Sequence, residues 1–250
     1  MARLEDRRAG LLEEIPGWYD GRLHLLGVTF AALGAIALLG RWLAETPPRP
    51  WQWSLVPVTI LFANLFEWWV HRGPMHRRTR LLGALYERHA RTHHVAFTRE
   101  RMGAACHREW ALVLFPPWVL PLLLLLIAPL AIALWFVDPA SAWLFVASAL
   151  LYYVVYEWLH LAHHLPEDSW PGRRWIVRTL RRPHRLHHDP SWMTRGNFNV
   201  SFPFADLVLR TALGEFPPTE QGAAETDPAC DPCEAISRSR EALRETYDEE

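Results

Sequence analysis

Eleven of the 13 histidines fall into four short clusters: HRGPMH at 71–76, HARTHH at 89–94, EWLHLAHH at 157–164 and HRLHH at 184–188. Only His24 and His107 lie outside them. Histidines that serve packing scatter singly, so this clustering points to metal. Neutral imidazole offers a lone pair at physiological pH and is the commonest metal ligand. Eleven donors exceed the needs of one tetrahedral ion, whereas two ions of five or six ligands each use about ten. All-imidazole donors suit iron, copper or zinc.

The spacing says how the clusters converge. Residues four apart share a helix face. His89 and His93 are therefore expected to meet, with His94 one step round. His160 and His164 pair likewise, with His163 adjacent, and a helix through 184–188 presents His184, His187 and His188. His71 and His76 are five apart, with Gly73-Pro74 between them. Pro74 is expected to end its helix, so that His76 approaches from a bend. Glu67 and Glu157 sit one turn before His71 and His160, inside apolar runs where an ionisable side chain is costly and functional by default. Each is expected to accept the second N–H of a nearby ligand histidine. Asp189, directly after the last cluster, is assigned the same supporting role.

The elements that must carry these residues are membrane spans. Apolar runs at 22–43, 51–71, 110–137 and 142–161 alternate with Arg-rich polar blocks, a multi-span pattern. The third run is too long for one straight crossing and holds Pro116, Pro117, Pro121 and Pro129. It reads as an interfacial lead-in followed by a span. Many of the 14 Trp fall near span ends, as an aromatic belt requires. The expected fold class is all-α integral membrane, with four transmembrane helices and a His-rich helical cap over a two-metal site. Segment 72–108 carries nine Arg and 172–195 is also Arg-rich, while the turns at 44–50 and 138–141 hold one between them. The positive-inside rule places both Arg-rich segments and both termini in the cytoplasm. All four clusters then lie at one membrane–cytosol boundary, which a third run crossing twice instead of once would prevent.

The chain divides into an N-terminal segment, 1–20, a membrane domain, 21–216, and an acidic tail, 217–250. The first reads either as a short interfacial helix or as a loosely ordered terminus, and its acidic residues argue against a signal peptide. The tail reads as flexible, with a short helix near 234–246 and a lone Cys230-x-x-Cys233 pair. Three Cys build neither a disulfide framework nor a four-Cys iron–sulfur site. A net charge of −1 gives no reason to expect nucleic acid as a partner. All 26 basic residues are Arg, which suggests a GC-rich, bacterial coding sequence and hence a bacterial cytoplasmic membrane.

The order HRGPMH, HARTHH, YEWLHLAHH, HRLHHD, then NFNVSFPFADLVLRT at 197–211, resembles the fatty acid hydroxylase / sterol desaturase superfamily. The resemblance covers roughly residues 60–212. It implies four spans and a cytosol-facing cap over two irons, with zinc able to substitute in isolated protein. It also implies O2-dependent hydroxylation or desaturation of a lipid chain, sterol or carotenoid-like substrate drawn from the bilayer. Carried over, His71, His76, His89, His93, His94, His160, His164, His184, His187 and His188 fall on ligand positions, with His163 as the surplus. Gly73-Pro74 and Ala205, where Trp is common, depart from the pattern and bear on substrate shape rather than metal binding. No cytochrome b5-like domain is fused, so electrons are expected from a separate ferredoxin or cytochrome b5-like protein with its reductase. Oligomeric state is not legible. Two other classes compete. A non-catalytic or zinc-binding membrane protein would keep the scaffold alone, and a b-type cytochrome would need histidines at matched depth in facing spans rather than at span ends.

Overall fold

The computed structural model describes residues 2–214, which are all-helical without strands. The tail, its short helix and the Cys230/Cys233 pair lie outside the described residues. Among the described residues four helical stretches are long and apolar enough to cross a membrane: α2 (Gly21–Glu45), the stretch Pro50–Met75 that contains α3 (Leu55–Val70), α6 (Val119–Val137) and α7 (Pro139–His163). The third apolar run divides as its prolines predict. A 3-10 turn at His107–Leu112 leads in, and Val119–Val137 forms the crossing.

α7 is the central helix, packing against α2, α3 and α6. Half of its apolar window is buried, against 6–17% for the other three, whose outward faces remain free for lipid. It starts sharply because Asp138 accepts the Ser141 N–H at 2.8 Å and Pro139 occupies the first turn. Gln52 donates to Asp138 and, at 3.0 Å, to the Ser141 hydroxyl, which ties the start of α3 to the start of α7. Both helices consequently reach the opposite side together, and their His-bearing ends emerge at one level.

A cap covers that end. It comprises α1 (Ala2–Glu13), α4 (Gly83–Tyr86), α5 (His94–Ala96), α8 (Trp175–His187) and α9 (Phe204–Val208). Residues Ala2–Glu13 form a helix whose Leu12, with Ile15 just beyond it, joins a buried apolar cluster containing Phe97, Leu112, Leu114 and Leu161. α8 is seated by Arg181, which donates to the Ala162 and Leu165 carbonyls at 2.6 and 3.0 Å and so caps the C-terminal end of α7. Chain direction through the cap is thus set where α7 stops.

Pro74 does not end α3. The chain continues through a π-helical turn, His71–Met75, with Pro74 inside it, and turns away after His76. A second π-helical stretch, Glu87–His93, joins α4 to α5. In a π turn the hydrogen bonds reach five residues rather than four, which changes the facing side chains.

Candidate metal centre

Five residues at about 100° each overshoot one α-helical turn by about 140°, so a five-apart pair points apart on an α-helix. The π turns remove that divergence. The His71 and His76 rings stack 5.2 Å apart, and His89 lies 4.7 Å from His94. These two five-apart pairs form one group with His187, in which all five ligand nitrogens lie within 4.8 Å of one another. The regular helices α7 and α8 bring together the four-apart pairs instead. His164, His184 and His188 form a second group with His93, and the His160 Nε2 lies 3.3 Å from that of His93.

Each group therefore takes one histidine from the other half of the sequence. His93 leaves the early clusters for the late group, and His187 makes the opposite exchange. His89 and His93 do meet as expected, with rings stacked 5.1 Å apart, but the π-helical backbone places His89 in one group with His94 and His93 in the other. His163 is fully buried beside His184, with rings 5.2 Å apart, and belongs to neither group. The two groups touch where His94 stacks on His188 at 4.3 Å.

The carboxylates do other work than expected. Glu67 accepts from the Tyr152 hydroxyl, the Val200 N–H, the Ser201 N–H and the Ser201 hydroxyl. Glu157 accepts the Phe115 N–H, and Asp189 pairs with Arg99 at 3.1 Å. Backbone carbonyls hold the imidazoles instead. Nδ1 of His71 donates to Phe198, His93 to Leu112, His164 to Met102, His187 to Gly196 and His188 to Phe97. A sequence pattern names side chains, so carbonyl partners leave no residue-type signal.

The segment after α8 is built to present two of those carbonyls. A Cβ on Gly196 would lie 2.2 Å from the Thr211 carbonyl, and Asn197 has a left-handed φ of 56°. Asp206 accepts the Phe198 and Asn199 N–H groups at 3.1 and 2.7 Å and the Thr211 hydroxyl at 2.6 Å. Asn64, on the same face of α3 as Glu67 and His71, donates to the Phe202 carbonyl and accepts the Ala205 N–H. The Asn, Asp and Thr of the trailing motif are therefore the clamp that aims His71 and His187.

The donor set tests whether these residues fit metal. A neutral imidazole carries one N–H. His93 and His188 both commit theirs, on Nδ1, to carbonyls, yet their Nε2 atoms are 3.2 Å apart. Two bare lone pairs facing one another repel unless a cation lies between them. Two nitrogens about 2.1 Å from a shared ion and at right angles to each other are about 3.0 Å apart. The Nε2 separations run from 2.7 Å for His71–His89, through 3.0 Å for His164–His184, to 3.2 Å for His184–His188. Burial, reinforced by neighbouring imidazoles, drives His89, His93, His94, His164, His184 and His188 well below the usual histidine range. Burial likewise pushes His76 down to about 2 and His187 to about 4. At neutral pH the whole set is uncharged and ready to coordinate. The residues fit two metal ions.

A narrow cleft leads to both groups. His89, His93 and His160 stand at its head, and Met75, Leu85, Leu112, Val113, Phe115 and Tyr156 line it. Arg88 fixes one wall by donating to the Ala111 and Leu114 carbonyls at 2.5 and 2.6 Å.

Four helices fit to cross a membrane, a capped end and two buried imidazole groups able to hold metal point to a multi-pass membrane protein with a metal-binding site. The fatty acid hydroxylase family model matches residues 56–211, more than half of the chain, and the chain belongs to that family. The family implies a metal-dependent oxidoreductase and suggests an oxygenase acting on lipids in the membrane. No match was found among curated proteins or among solved structures. The match begins inside α3 and spans every histidine of both groups.

Proposed function

We propose that this protein is a di-iron oxygenase of the cytoplasmic membrane that hydroxylates a lipid alkyl chain, using O2 and electrons from a separate donor. The observation that carries this reading is the pair of touching imidazole groups at the head of an apolar cleft. Iron with open coordination positions activates O2 and so oxidises an unactivated C–H bond.

The residues of the chain supply the rest. Carbonyls of Phe198, Gly196, Leu112, Met102 and Phe97 hold the Nδ1–H of His71, His187, His93, His164 and His188, leaving their Nε2 atoms free toward the centre and limiting ring rotation. The cap buries both groups, which excludes water from the place where a C–H bond must compete with it. Leu85, Val113 and Phe115 offer the cleft an apolar wall along which a methylene chain can lie in reach of both groups. The lipid is taken from the bilayer, and the separate donor is a ferredoxin or a cytochrome b5-like protein with its reductase. The Arg excess of the cap-forming segments supports a cytosolic face, where such a donor docks.

The test is purification in detergent with iron loading, metal analysis, and single-turnover O2 consumption followed by mass spectrometry of extracted lipids. Two irons per chain and an oxygenated lipid are expected. Loss of two hydrogens without oxygen insertion would reassign the reaction as desaturation. Zinc alone, with no lipid oxidation after iron loading, would overturn the oxygenase reading in favour of a zinc-binding scaffold.

A further inference from the structure

Residue 8 lies 48 positions before the family match begins, yet its side chain is only 4% exposed and sits deep in the cap. The Arg8 guanidinium makes four contacts. Its Nε donates to Glu109 Oε1 at 3.1 Å and its Nη2 pairs with Glu109 Oε2. Nη1 donates to the Ala96 carbonyl at 3.2 Å and Nη2 to the Gly103 carbonyl at 3.0 Å. The guanidinium carbon lies 4.9 Å over the Phe97 ring. The planar fork of Arg suits such multiple, fixed contacts in a way that a Lys ammonium does not.

Those contacts converge on one loop. Ala96 and Gly103 bracket the chain between α5 and the 3-10 turn, and Arg8 ties the two ends together. Glu109 reinforces the knot by accepting the Ala105 N–H at 2.6 Å. Within the loop, the Phe97 carbonyl receives Nδ1–H of His188 at 2.7 Å, and the Met102 carbonyl receives that of His164 at 2.9 Å. The Phe97 ring packs 4.5 Å from His164 and 5.5 Å from His93. All three imidazoles belong to the second group. The first group takes its carbonyls from Phe198 and Gly196, on a separate segment clamped by Glu67, Asn64 and Asp206.

We propose that Arg8 is a positioning residue for one of the two metal sites: through the Ala96–Gly103 loop it aims His164 and His188, and it holds neither of the carbonyls that aim His71 and His187 in the five-histidine site. The inference rests on the reading of the centre as two metal sites. It makes the N-terminal helix a working part of the centre rather than an interfacial appendage.

The test uses full-length, metal-loaded protein in detergent and counts the ions retained per chain after a timed chelator challenge. The variants are R8Q and the double variant R8M/E109M, which removes both buried charges and so leaves no orphaned carboxylate. In each, one of two ions is expected to be lost on the order of 10- to 100-fold faster than from the parent, the other at the parental rate. Adding R8M/E109M to H187A should make both sites labile, whereas adding it to H93A should change little further. R8K keeps the pairing with Glu109 but cannot span both carbonyls, and should fall between R8Q and the parent. Retention of both ions at the parental rate by R8M/E109M overturns the inference, as does loss of both together. A parent that never holds two ions overturns the two-site reading itself, and this inference with it.

Discussion

Glu67 is the residue whose expected and observed roles differ most, and its replacement separates them. Its two oxygens receive four donors: the Val200 and Ser201 N–H groups and the Tyr152 and Ser201 hydroxyls. Val200 and Ser201 are 1% exposed, so their N–H groups have no water to turn to in a Glu67→Ala variant. Two buried, unsatisfied N–H groups cost about 1–3 kcal/mol each, or about 2–6 kcal/mol together. That is a large part of the roughly 5–15 kcal/mol that stabilises a typical domain. The loss is local, because the freed segment is 196–201, whose Gly196 and Phe198 carbonyls hold His187 and His71. Glu67→Ala should therefore weaken binding of the ion in the five-histidine group by on the order of 10- to 100-fold and leave the other ion in place. Glu67→Gln keeps a carbonyl oxygen for the two N–H groups and forfeits mainly the charge-assisted share of the bonds, so its metal loss should be much smaller. Chelator competition with metal analysis measures both affinities, and hydrogen exchange at 198–201 reports the segment directly. If Glu67→Ala bound both ions as tightly as the parent, with amides 198–201 equally protected, the clamp argument would be wrong.

Exchange of one histidine between the two halves predicts that His93→Ala empties the group built mainly from α7 and α8. His187→Ala should empty the group built mainly from the π turns. Both should abolish turnover, and equal loss of both ions in either variant would contradict the grouping. Acid should release metal. His76 and His187 fall from an unfolded value of about 6.5 to about 2 and about 4, so below about pH 6.5 the unfolded chain holds more protons than the folded one. Stability is then complete above about pH 6.5, falls as pH drops through 4, where the His187 contribution levels off, and continues to fall toward about 2, where that of His76 does. Thermal unfolding and metal retention at pH 7.5, 6 and 5 follow this directly, and flat profiles would count against it. Leu85→Trp narrows the cleft from a half-buried wall residue that is neither a ligand nor the holder of one. It should raise KM or stop lipid oxidation while both ions stay bound, and unchanged lipid kinetics would place the substrate elsewhere.

The sequence by itself determined the class of molecule. Hydrophobic runs of span length, broken by proline and separated by Arg-rich blocks, leave little freedom about which segments cross. Histidines at the ends of two crossings, with two further clusters beyond them, must then meet at one membrane face. The four-apart pairs His160/His164 and His184/His188 were legible too, because a regular helix converts that spacing into a shared face. The five-apart spacing common to His71/His76 and His89/His94 was the visible sign of the π turns. Its meaning depended on backbone hydrogen bonding, which no side chain announces.

Only the tertiary structure decided the rest. It sent His93 and His187 across to the opposite groups. It gave five of the imidazole N–H groups to backbone carbonyls, left Glu67 and Glu157 to hold backbone, and paired Asp189 with Arg99. It also drew Arg8 from the far end of the chain into the cap. A carbonyl is common to every residue and a loop's path is set by packing, so these contacts exist only once the spans have brought their ends together.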